Sequence, residues 1–207
     1  ALALLLLVPV PTLGVVMAMI VAPGLFGQIV FALSKLWLVV LPAVWLLVVD
    51  RGRLSWSPPK HGGFVVGSVL GVIIAGIIFG AYFTFARDWI DPAVLRAAAE
   101  ENGLADLRLY IACFIYWVTL NSLIEEYVWR WFVFEKWEML LPHGKGFWAV
   151  ILSALCFTLH HVVAMAAQHF ELHVILLANL GVFIGGATWS WLYRKYRSIW
   201  PAYVSHA

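Results

Sequence analysis

An all-α, polytopic bundle of membrane-spanning helices is the fold class this sequence predicts, and three observations predict it. Of its 207 residues 64% are hydrophobic and only 12% charged, whereas a soluble domain averages roughly 45–50% apolar and about 25% charged. Apolar runs recur at about the ~20 residues that a spanning helix needs. The alternating pattern of a membrane β-barrel is missing, so the spans read as helices. A soluble chain of this length could not bury so much apolar surface, which excludes secreted, disordered and nucleic-acid-binding classes.

The runs fall at 1–22, 26–49, 64–86, 107–134, 147–168 and 172–193, and another begins near 198. With a short helix outside the membrane, they predict seven to eight spans in one integral-membrane domain over residues 1–207. No run has the charged front and small-residue cleavage site of a signal peptide. The chain is expected to extend at both ends, its last helix continuing past 207. Between 91 and 102 the composition turns charged and alanine-rich. Pro92 suits a first helical turn and Gly103 a stop, which predicts a short extracytoplasmic helix. Cys113 and Cys156 both lie in apolar runs and form no C-x-x-C pair, so no redox compartment follows from them.

Charge placement predicts the orientation. Arg51, Arg53, Lys60, Arg130, Lys136, Lys145, Arg194, Lys195 and Arg197 fall on one side, nine of the 13 basic residues. Arg87, Arg96 and Arg108 fall on the other among six acidic residues, and Lys35 lies within the second run. By the positive-inside rule the first side is cytoplasmic, as expected of a multi-pass protein of the cell (inner) membrane.

Ionisable residues at membrane depth are costly unless paired or hydrated, so they carry the functional signal. The fourth run contains Asn121-Ser122-Leu123-Ile124-Glu125-Glu126-Tyr127-Val128-Trp129-Arg130. Glu126 and Arg130 are four apart and predict an ion pair on one helix face. Glu125 points elsewhere, at about 100° per residue, and a carboxylate withdrawn from water suits general acid–base work. The fifth run carries Phe157 and His161 on a shared face, with His160 turned away. The last segment carries Pro201 at a helical first turn and His206 deeper. At 1.5 Å per residue, Glu125 lies about 16 Å in from Lys136, His161 about 22 Å in from Gly146 and His206 about 12 Å in from Ser198. One carboxylate and two imidazoles are therefore expected to meet in a cavity within the membrane. Asn179 is expected to make an interhelical hydrogen bond, beside the small packing residues Gly181, Gly185 and Gly186.

Glu125-Glu126-x-x-x-Arg130, then Phe157-x-x-x-His161, then Ser198-Ile199-Trp200-Pro201…His206, resemble the ordered motifs of the CPBP intramembrane proteases. This family is also called the ABI or type II CAAX prenyl endopeptidase family. The resemblance covers roughly residues 106–207. It implies a helical membrane protease in which Glu125 activates water, Glu126 and Arg130 hold the site in register, His161 positions the water or polarises the substrate, and His206 helps to stabilise the oxyanion. The substrate it implies is a membrane-embedded or lipid-anchored peptide or protein tail. No cofactor is expected, although relatives have been described both as metalloproteases and as glutamate proteases, which leaves room for a divalent metal. No H-E-x-x-H zinc motif occurs. The family often has a small residue where Trp131 stands, so that side chain is expected to narrow the site, and its last motif asks for Asn or Asp at position 210.

Three other readings stay open from the residues. The first is a catalytically silent member serving as scaffold or assembly subunit in a membrane complex, with a membrane-protein partner. The second is a transporter or proton relay, against which no inverted repeat occurs. The third is a Cys156–His160 protease, disfavoured because an apolar flank does not activate a thiol.

Overall fold

The computed structural model describes residues 1–89, 91–101, 103–168 and 170–207, and no strand occurs among them. Six helices are long and apolar enough to cross a membrane: α1 Leu2–Val21, α2 Leu25–Val49, α3 Phe64–Thr84, α5 Leu107–Leu140, α6 Gly146–Ala167 and α7 Leu172–Tyr196. Two shorter ones join them, α4 Pro92–Glu101 and α8 Trp200–His206. The chain is thus an all-α polytopic bundle. Six of the expected spans are long helices, and the segment that begins near 198 is described as the seven residues of α8.

Helix ends follow local chemistry. At the start of α4, Asp91 Oδ1 accepts the Ala93 amide at 2.8 Å. Gly103 follows α4 at φ +74°, a backbone that glycine adopts without a Cβ penalty. Asn102, placed in this helix by its composition, lies outside the described residues. Asp106 caps α5 by accepting from the Arg108 and Leu109 amides.

Helix α5 continues six residues past the end of its apolar run, through Glu135, Lys136 and Glu138. Those side chains end the hydrophobicity but not the helix, because each has a partner at that end of the bundle. Lys136 pairs with Asp50, Glu135 accepts from the Tyr193 hydroxyl, and Arg197 grips Glu138 with two hydrogen bonds. The Arg197–Glu138 bonds hold that guanidinium in its charged form, raising its pKa. The connections rich in Lys and Arg therefore gather at one end. At the other end Trp89, before α4, sits edge-on against His173 at the start of α7, 4.5 Å between ring centres.

Within the bundle α6 packs along α7. A Cβ on Gly186 would meet Phe157 Cδ1 at 3.0 Å, so this glycine permits the close approach. Gly181 faces open space instead. Asn179 donates to the Ile175 carbonyl at 2.8 Å and across to Met165 Sδ at 3.3 Å, a weak version of the interhelical bond expected. α8 lies on α3, where a Cβ on Gly67 would come within 2.3 Å of the Pro201 carbonyl oxygen and one on Gly71 within 3.1 Å of Ser205 Cα. The start of α8 is strapped by the connection between α2 and α3. Ser198 Oγ donates to the Ser57 carbonyl, the Ile199 amide to Ser57 Oγ, and the Trp200 indole to the Trp56 carbonyl. Ser198 is fully buried under this strap, so α8 begins inside the bundle.

Candidate active site

Helix α5 departs from a regular α-helix where its polar residues cluster. Trp117–Asn121 and Glu126–Val133 wind as π-helix on either side of the α-helical Ser122–Glu125. The same wide winding ends α1 at Met17–Val21 and α2 at Trp45–Val49, so it is not confined to this cluster. Trp129, between the glutamates and the end of the helix, is tied to α6 by Ser153 Oγ, which donates to its carbonyl at 2.8 Å.

Glu126 and Arg130 form the expected pair, both fully buried, with Arg130 Nε 3.2 Å from Glu126 Oε2. The guanidinium lies over two rings, 4.6 Å from the Phe157 centre and 5.1 Å from that of Trp189. Aromatic faces thus supply part of the stabilisation that water would give an exposed cation. Neither terminal nitrogen of Arg130 has a hydrogen-bond partner among the described residues.

The two glutamates do not face apart, as their angular separation suggested. Both reach the imidazole of His206, one at each ring nitrogen: Glu126 Oε1 lies 2.9 Å from Nδ1 and Glu125 Oε2 lies 3.6 Å from Nε2. The reason is the ring itself, whose nitrogens open toward different sides, together with the wide turn that begins at Glu126. An ionised Glu126 only accepts, so His206 Nδ1 carries a proton. Trp189 stacks on the ring at 3.8 Å and 18° and donates its indole proton to Ser205, which fixes the imidazole plane.

His161 Nδ1 is 3.0 Å from the Phe157 carbonyl. A carbonyl only accepts, so Nδ1 is the protonated nitrogen and Nε2 presents a lone pair. His160, one residue back, stacks on Trp129 with planes 9° apart and lies against His161 with ring centres 4.1 Å apart. No hydrogen bond joins it to Cys156 among the described residues.

Glu125, His161 and His206 share the lining of one pocket of about 310 Å³ with Trp117, Asn121 and Ser122. Trp131 is not part of that lining. Its ring packs 4.7 Å from Tyr127, so it does not narrow the site. All five residues named from sequence are therefore brought together, three on the pocket and Glu126 and Arg130 behind them. The depth of Glu125 is greater than the apolar run implied, about 22 Å from Leu140, which matches that of His161.

Two residues that sequence reasoning left without a role join the site. Asn121 Nδ2 donates to Glu125 Oε1 at 2.8 Å, and Lys35 Nζ of α2 donates to Asn121 Oδ1 at 3.2 Å. Signals for both were available: Asn121 is one helical turn before Glu125, and Lys35 is a lone cation in the middle of a span.

For a metal, Glu125, His160 and His161 each offer a ligand atom, all within 4.8 Å of one another. An ion bound tetrahedrally at ~2.1 Å would draw its donors to about 3.4 Å apart, so the trio fits one after a modest contraction. The same donors are also spaced to hold a water molecule.

Residues 107–207 match the family model described as type II CAAX prenyl endopeptidase Rce1-like. Over these residues, just under half of its length, the chain is similar to that family. The matched segment runs from α5 to the end of α8, and so contains Glu125, Glu126, Arg130, His161 and His206 but not Lys35. The family is one of endopeptidases, in keeping with a multi-pass membrane protease. No curated protein and no solved structure matches the chain.

Proposed function

We propose that this protein is an intramembrane endopeptidase that hydrolyses a peptide bond of a membrane-embedded or lipid-anchored peptide or protein tail. The observation that carries the reading is the convergence of Glu125, His161 and His206 on one open pocket between α5, α6 and α8. A water held between Glu125 and His161 Nε2 loses a proton to the Glu125 carboxylate while its oxygen bonds to the scissile carbonyl carbon. A positioned base of this kind contributes about 10²–10⁴-fold. The carbonyl π electrons move onto oxygen, and His206 faces that oxyanion with Nε2, donating when the ring carries both protons. Glu126 holds His206 by its other nitrogen, and Arg130 balances the charge of Glu126. The C–N bond then breaks, and the proton held by Glu125 passes to the leaving amine. Base and oxyanion donor are both side chains, so the steps need neither an acyl-enzyme nor a metal. The connections rich in Lys and Arg face the cytoplasm in this reading.

The test is comparative proteomics of membranes containing the wild type or Glu125→Gln, a change that keeps the shape of the side chain. An uncleaved precursor should accumulate with the variant and be cut by purified wild-type protein in detergent. If no precursor accumulates and the cellular phenotype survives Glu125→Gln, hydrolysis is not the activity and the scaffold reading takes its place.

A further inference from the structure

Lys35 is the one ionisable residue of α2 that lies far from both of its ends, about 15 Å from Leu25 and about 21 Å from Val49. Its stem cannot bring an ammonium to either surface over that distance. A cation kept at such depth is retained for a partner. Its Nζ lies near the rings of Phe31 and Trp117, 5.6 and 5.8 Å from their centres, and its hydrogen bond goes to Asn121 Oδ1 at 3.2 Å.

That contact decides how the Asn121 amide is turned. An ammonium can only donate, so it must face the amide oxygen. The amide nitrogen then faces the other way, toward Glu125 Oε1 at 2.8 Å, where an ionised carboxylate can only accept. With Oε1 tethered, Oε2 is the oxygen on the His206 side, 3.6 Å from Nε2. We propose that Lys35 and Asn121 are positioning residues for Glu125: Lys35 locks the flip of the Asn121 amide, and Asn121 tethers one carboxylate oxygen so that the other is presented to the pocket. Neither residue needs to touch the substrate. Lys35 also lies outside the segment that matches the family model, so it brings a residue of the first half of the chain into the site.

The inference rests on Glu125 acting as the base, and its test has an arm that does not depend on activity. The chain has three asparagines, Asn102, Asn121 and Asn179. Selective ¹⁵N labelling in detergent micelles therefore gives few side-chain amide pairs, with Asn121→Ala assigning the one of interest. The Asn121 pair should be protected from exchange in the wild type and in Lys35→Arg. It should shift and lose protection in Lys35→Met and in Glu125→Gln. In the second arm, cleavage of the accumulated precursor should lose about 10- to 100-fold in kcat with little change in KM for Lys35→Met. Lys35→Arg should recover most of that loss. Because Lys35 acts through Asn121, Lys35→Met should cost nothing further in an Asn121→Ala background.

An Asn121 pair unmoved by Lys35→Met overturns the inference, and so do kinetic losses that simply add in the double variant. Glu125→Gln that still cleaves overturns the base assignment instead, and the spectra continue to report on the tether alone. If Lys35→Met does not fold, the Lys35→Arg spectrum decides: an unprotected Asn121 pair there overturns the inference.

Discussion

Glu126 and His206, 80 residues apart in the chain, are joined by a hydrogen bond of 2.9 Å from Nδ1 to Oε1, and this bond ties the last helix to the centre of the bundle. The same carboxylate faces Arg130, so it holds an imidazole of the pocket and balances a buried cation at once. Removing it should do two separable kinds of damage.

Glu126→Ala strands Arg130, fully buried, with only ring faces for company. Loss of one member of such a pair costs about 3–5 kcal/mol, so thermal unfolding in micelles should show a large drop in Tm. Combining Glu126→Met with Arg130→Met should restore much of the stability, since an apolar replacement of both partners is often neutral. Activity should stay lost, because His206 Nδ1 no longer meets an ionised carboxylate. A double variant that regains cleavage would show that Glu126 serves stability alone.

At the pocket the pattern should reverse. Glu125→Gln and His161→Ala should each lower kcat by about 10²–10⁴-fold while the unfolding transition stays close to that of the wild type. Circular dichroism melts beside single-turnover cleavage separate the two effects. Equal losses of Tm and rate would place these residues among the packing elements.

Gly67→Ala should impair the enzyme from outside the site. Its Cβ would fall 2.3 Å from the Pro201 carbonyl, which pushes α8 off α3 and draws His206 away from both glutamates. Gly76, on the same helix, has nothing within 4 Å, so Gly76→Ala should leave cleavage unchanged. Cleavage by the two variants, measured side by side, tests the docking of α8 directly.

Dialysis against a chelator should leave cleavage intact if the water is activated by side chains alone. If activity falls and zinc restores it, Glu125, His160 and His161 are the residues to examine. His160→Ala should then weaken metal binding measured by calorimetry, without breaking the His206–Glu126 bond.

Sidedness can be read by thiol labelling once Cys113 and Cys156 are replaced. A cysteine at Ser55, exposed in the connection between α2 and α3, should react only from the cytoplasmic side. One at Ala93, exposed in α4, should react only from the opposite side. The reverse result would invert the bundle.

The helices were legible because apolar runs of the right length announce themselves, and each of the six lies within a few residues of its run. The end of α5 was not, because Glu135, Lys136 and Glu138 look like a boundary until their partners Tyr193, Asp50 and Arg197 are in place. At the site, Glu126–Arg130 and Phe157–His161 could be read from spacing within single helices. The sharing of His206 by adjacent carboxylates could not, since per-residue rotation describes Cβ directions and not where a long side chain meets a two-sided ring. Lys35 and Asn121, 86 residues apart, lie on different helices, and no local pattern links them. Cross-helix contacts of this kind exist only once the bundle has closed.

The late position of His206 gives the strap at Trp56 and Ser57 a role in the birth of the protein. As the chain leaves the ribosome, Lys35, Asn121, Glu125 and His161 are all made before the imidazole that completes the pocket. Until Ser198 and Trp200 engage the strap and Pro201 settles on Gly67, the newborn chain holds its carboxylates without that imidazole. On the proposed function a half-inserted chain is thereby unarmed, and its site becomes competent only once α8 has docked.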